Sequence, residues 1–147
     1  CHAYYLGLHH LAILQNHYVP FELGYNFLLK FHENQIELYG GSSGVRSEEL
    51  LESALAQPQA SFGSEYVHET IFEMAAAYGF HICQNHPFFD GNKRTALIAI
   101  YTFLYVNGYM LKADKKALYV TILALANGKL DKKELANYLE SNSQEIS

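Results

Sequence analysis

The chain has 147 residues, half of them apolar and 17% charged, with a net charge of −5. This balance excludes a disordered or fibrous chain and allows one domain with a real buried core. It also counts against nonspecific nucleic-acid binding, which needs a basic face. The longest nearly apolar run, Ala96 to Val106, is too short to cross a bilayer and reads as a core helix.

Residues 1–23 stand apart. They hold four of the eight histidines (His2, His9, His10, His17) and no charged residue before Glu22. A histidine-rich start can bind metal, but an expression remnant or a lineage-specific extension is the preferred reading, and no function is assigned to it. Nothing there resembles a signal peptide, and Cys1 and Cys83 make no disulfide framework, so a cytoplasmic location is expected.

From residue 24 to 147 helix signals recur and strand signals are poor. Phe27, Leu28, Phe31 and Leu38 share a near-helical spacing that stops at the loop Gly40-Gly41-Ser42-Ser43-Gly44. Ser47 is a predicted N-cap, with Glu48 and Glu49 in the first turn and Leu50, Leu51, Ala54 and Leu55 facing inward before Pro58. A central helix is predicted from about Tyr66 to Gln84, burying Ile71, Ala75, Tyr78 and Ile82. Its small residues Ala75, Ala76, Ala77 and Gly79 allow a neighbour to approach closely, and it must end near Asn85 because Pro87 disfavours helix at His86.

The next helix starts near Gly91 or Asn92, turns Leu97, Ile100, Tyr101 and Leu104 inward, and closes at Asn107-Gly108. Asp114 caps a helix burying Leu118, Ile122 and Leu125. Asp131 and Glu134 form a capping box ahead of Leu135 and Leu139. The lysines between Lys112 and Lys133 read as a solvated face. The sum is a single all-α bundle.

Between the central helix and the next lies HPFFDGNKR, His86 to Arg94. A surface turn is the plain reading. A phosphate site is the sharper one, because a helix start exposes unpaired N–H groups at the positive end of its dipole. Lys93 and Arg94 in that first turn disfavour the helix by about 0.3–1 kcal/mol each, a placement that makes sense beside an anion. Asp90 is either an N-cap or a hard oxygen ligand suited to magnesium. His86 is either structural or a base able to take a proton. Phe88 is expected to plug the core, and Phe89 is left either packed or exposed. His81, Cys83 and His86 lack a second ligand pair for zinc, no common nucleotide-loop motif occurs, and Cys83 is accounted for by the core.

HPFFDGNKR resembles the signature of the Fic/Doc superfamily, which in words is His-x-Phe-x-Asp/Glu-Gly/Ala-Asn-Gly/Lys-Arg. The flanks, YGGSSGVRSEELLESALAQPQASFG and NKRTALIAIYTFLYVNGY, resemble the death-on-curing (Doc) branch, and the likeness extends over about residues 25–140. Fic-type AMP-transferases usually carry glycine at position 93 and a second arginine at 97, where this chain has Lys93 and Leu97. Their inhibitory helix motif is not intact either: Ser141 and Glu145 have its spacing, but Ile146 stands where Gly or Asn belongs. The resemblance therefore implies a type II toxin inhibited by a small antitoxin whose disordered tail folds on binding. Its expected activity is transfer of a phosphate from ATP to a threonine of elongation factor Tu, which halts translation. Carried over by position, His86 is the base and Asp90 holds magnesium. Gly91, Asn92, Lys93 and Arg94 bind the phosphates, and no nucleic acid or membrane takes part. A Fic-type nucleotidyl-transferase is the alternative. An inactive antitoxin-binding or co-regulator protein is a further one.

Overall fold

The computed structural model describes residues 20–62 and 65–146. The four histidines of the N-terminal segment lie outside these residues. Six helices are described: α1 (Tyr25–Tyr39), α2 (Glu48–Ala56), α3 (Ile71–Asn85), α4 (Asn92–Val106), α5 (Lys115–Ala126) and α6 (Lys132–Ser141). The all-α class holds, with two small additions. The short strand β1 (Ser61–Phe62) pairs antiparallel with β2 (Glu65–Tyr66), and β3 (Tyr109–Leu111) runs antiparallel to β4 (Ser143–Glu145). Strands this short carry no alternation for a sequence pattern to show.

The core is organised around α3. Ile71, Phe72, Met74 through Gly79, and Ile82 are all buried, so this helix is covered nearly all round rather than on one stripe. It packs on α2, α4, α5 and α6. At Gly79 α4 lies close, since a Cβ there would collide with Ile100 Cδ1. The helix begins at Ile71, not near Tyr66. Thr70 caps it by accepting from the Glu73 N–H, and residues 65–66 form strand β2. The predicted caps Ser47 and Asp114 are present, as is the Asp131–Glu134 box.

The inward face of α4 differs from expectation, and α1 buries only part of its apolar spacing. On α1, Phe27 and Leu38 are exposed while Leu28 and His32 are buried. On α4, Tyr101 is exposed and its hydroxyl donates to Met110 Sδ, while Thr95, Ala96, Ala99 and Phe103 share the interior with Ile100 and Leu104. Both helices contact each other as well as the core, so burial follows helix–helix packing rather than the most apolar stripe. Residues 21–23, placed by sequence in the N-terminal extension, hold to the bundle. Leu23 is buried and donates its N–H to the Tyr78 hydroxyl, and the Asn107 amide bonds both the N–H and the carbonyl of Phe21.

A titratable pair sits where α3 meets α6. The Lys132 ammonium donates to His81 Nε2 at 3.1 Å. Burial, then the charge of Lys132, pulls His81 from its ordinary 6.5 down to about 4. Burial likewise lowers His68. Between these limits the unfolded chain takes up a proton that folded His81 refuses, so stability falls as pH drops from about 6.5 towards about 4. Thermal unfolding across that range should show a declining midpoint, and His81→Gln should flatten the decline.

Candidate phosphate-handling site

The motif loop is shaped first by how α3 ends. The helix stops at Asn85, and His86 adopts a left-handed backbone (φ 51°, ψ 54°) while its N–H still bonds the Ile82 carbonyl. Pro87 accounts for the exit from the helix. The left-handed turn is a helix C-terminal geometry usually given to glycine, and here Arg46 supports it. The Arg46 guanidinium donates from Nε to the His86 carbonyl at 2.7 Å and from Nη2 to the Asn85 carbonyl at 2.8 Å. The backbone N–H groups of Arg46 and Ser47 both bond the Pro87 carbonyl, and Val45 bridges Phe88.

Phe88 is fully buried, stacked on His32 with ring centroids 3.8 Å apart. Asn92 closes the turn. Its Oδ1 accepts the Phe88 N–H at 3.0 Å and its Nδ2 donates to the Phe88 carbonyl at 2.9 Å. The side chain at this position is therefore engaged with the loop. His32 adds a third tie, donating from Nε2 to the Asp90 carbonyl at 2.8 Å.

Asp90 is not the helix cap. Gly91 is, with φ 75°, and no side chain caps the turn. The Asp90 carboxylate instead accepts the N–H of Ser42 at 3.2 Å and of Gly91 at 2.8 Å. Those two backbone donors, Ser42 first, hold its carboxyl below the usual value, with Arg94 and His32 adding to the effect. Glycine at 41 makes room for this group, because a Cβ there would lie 2.6 Å from Asp90 Oδ2. Gly91 serves packing as well as conformation: a Cβ would come within 3.3 Å of Ile36 on α1.

Lys93 and Arg94 do fall in the first turn of α4, where the helix holds no acidic residue. Arg94 is anchored: Nη2 donates to the Gly40 carbonyl at 3.1 Å, and the guanidinium lies over the Tyr39 ring at 5.4 Å. Lys93 is exposed and has no hydrogen-bond partner among the described residues. The N–H groups of Asn92, Lys93 and Arg94 open the helix and have no intrahelical acceptor.

His86, Asp90 and the residues Gly91 to Arg94 border one open pocket of about 340 Å³, lined also by Tyr119 in α5 and by Ala126 and Asn127 at that helix's end. Cys83 lines it too, its thiol pushed up to about 11 by burial, which suits a packed residue and not a nucleophile. An exposed imidazole, an ionised carboxylate, two cations and a helix N-terminus thus share one cleft. That set can take a proton, hold a hard cation and neutralise a polyanion.

Sequence comparison agrees with this geometry. Residues 22–104, from just before α1 through most of α4, match the model of the Fic/DOC family. The chain belongs to the Fic/DOC family. This Fic/DOC chain is similar to "Toxin Doc" of Mycolicibacterium smegmatis, 42% identical over 76 residues, 52% of this chain and 58% of that protein. It is also similar to "Protein kinase doc" of Escherichia phage P1, 30% identical over 112 residues, 76% of this chain and 87% of that one. The match to the mycobacterial relative therefore spans less than two thirds of that protein's length.

Arg46, His32, Tyr39 and Gly41 were not singled out by sequence, being 40 to 58 residues from their motif partners for the three bonded contacts of Arg46, His32 and Arg94. The Asn92 tie is testable directly. Asn92→Ala leaves the buried N–H and carbonyl of Phe88 unpaired and should cost about 1–3 kcal/mol for each, read from urea unfolding. A fully stable variant would mean the loop is held by other contacts.

Proposed function

We propose that this chain is a death-on-curing toxin of a type II toxin–antitoxin pair. Its activity is that of a protein kinase, moving the γ-phosphate of ATP to a threonine hydroxyl of a translation factor such as elongation factor Tu. One observation carries the reading: His86, the ionised Asp90 and the two first-turn cations converge on a single open pocket. The phage relative is called a protein kinase, which favours phosphoryl over nucleotidyl transfer.

In this reading the acceptor oxygen bonds the γ-phosphorus as its proton passes to the His86 imidazole. The bond to the β–γ bridging oxygen breaks, and ADP departs. The first-turn N–H groups of α4 receive phosphate oxygens, to which Asn92 contributes its backbone and the shape of the loop. Lys93 and Arg94 offset the charge of the transferring group, and the anchoring of Arg94 keeps it in place at no cost in reorganisation.

Asp90 fits a magnesium ligand on its own geometry. Each carboxylate oxygen accepts one N–H and retains a further lone pair, and one or two carboxylates plus phosphate oxygens is the usual magnesium set. Held there by Asp90, the ion would supply positive charge against the phosphates of the nucleotide.

Inhibition is assigned to a separate antitoxin acting in the cytoplasm. The stretch with the spacing of the Fic inhibitory motif ends α6 at Ser141 and then runs as strand β4, bonded to β3, so it forms no inhibitory helix. No helix among the described residues is long and apolar enough to cross a membrane.

ATP labelled separately at the α or γ phosphate, incubated with the protein and a cell extract, tests the chemistry. Label should reach protein from the γ position, and His86→Ala should slow the transfer by about 10²–10⁴-fold. Transfer from the α position would overturn the kinase reading in favour of a nucleotidyl-transferase. Induced expression in a host lacking the antitoxin should arrest growth with the native chain and not with His86→Ala. Separately, Asp90→Ala should weaken nucleotide binding in magnesium but not in a chelator, as followed by calorimetry. Equal affinities in both conditions would remove Asp90 from metal binding.

A further inference from the structure

Phe88 and Phe89 are neighbours with opposite fates. Phe88 is wholly buried, whereas Phe89 leaves 57% of its surface exposed, at the border of the pocket that holds His86. The exposure is not slack. The Phe89 N–H is tied to the Gly44 carbonyl at 3.3 Å, and the ring rests on Gly44, where a Cβ would stand 3.5 Å from Cδ2. One side of the ring thus lies against the loop after α1, and more than half of the residue's surface stays open. Among the described residues that border this pocket, the remaining groups of the motif are polar, charged or glycine, which suits phosphate and magnesium and gives a benzyl ring nothing to do there.

We infer that Phe89 is a specificity-determining residue that holds the protein acceptor, by packing against an apolar side chain beside the hydroxyl that is phosphorylated. The inference rests on the kinase reading above and names how its site selects a substrate. The hydroxyl must reach His86 to lose its proton, so the segment that carries it crosses the loop stretch 86–89 and not the helical turn that bears the cations. A ring fixed at its backbone and supported on one side loses little freedom when its other side is covered, which is the property of an aromatic anchor in an interface. Removing it should therefore weaken capture of the acceptor and leave nucleotide binding alone.

The experiment compares the native chain with Phe89→Ala and Phe89→Leu, using γ-labelled ATP and graded amounts of cell extract as the source of acceptor. Binding of ATP with magnesium is measured in parallel by calorimetry. Phe89→Ala should raise the extract concentration that gives half-maximal labelling by about tenfold, the loss expected for one modest anchor, with ATP affinity within about twofold of native. Phe89→Leu, which keeps apolar bulk, should recover most of the difference. Unchanged labelling by Phe89→Ala overturns the inference, and so does a parallel loss of ATP affinity, which would place the ring against the nucleotide. If the native chain labels no protein at all, the kinase reading itself fails, and the inference with it.

Discussion

Everything at the cleft depends on the double hydrogen bond between the Asn92 amide and the backbone of Phe88. It closes the turn that joins α3 to α4. With Phe88 pinned, its ring enters the core against His32, and His32 in turn reaches the Asp90 carbonyl. The chain on one side of the clamp carries the imidazole, and on the other side the cations begin. A buried polar pair of this kind is stabilising only when both partners are satisfied, and here each of the four atoms has its mate.

The second support comes from a distant stretch of chain. The glycine-rich segment after α1 lies along the motif: Ser42 donates to the Asp90 carboxylate, Gly40 accepts from Arg94, and Val45 to Ser47 run beside residues 87 and 88. The left-handed backbone at His86 belongs to the same arrangement, since Arg46 satisfies the carbonyls at that corner. The loop thus braces the motif from outside the cleft, and two of its glycines, Gly41 and Gly44, lie against motif side chains. Gly41 in particular yields its Cβ space to an oxygen of Asp90.

What could be read from sequence was mostly local. Ser47, Asp114 and the Asp131–Glu134 box declare helix starts through bonds spanning three residues, and Pro87 declares the end of α3. The cluster HPFFDGNKR stood out because cations in a first helical turn break a local rule, and such breaks tend to mark sites. Tertiary ties gave no such signal. Arg46 and His32 sit 40 and 58 residues from the atoms they hold, and nothing in their own neighbourhoods sets them apart. The apolar spacing of α1 did not show which face is inward: Leu38 and Phe27 are exposed, while α1 turns His32 inward against the motif. Asn92, named from the family resemblance as a phosphate ligand, has its amide engaged with the loop, a role visible only in three dimensions.

The sulfur of Cys83 borders the same cleft, and its surroundings keep it in the thiol form until about pH 11. Oxidants attack cysteine through its thiolate. Burial therefore leaves the cysteine beside this cleft a poor target for peroxide.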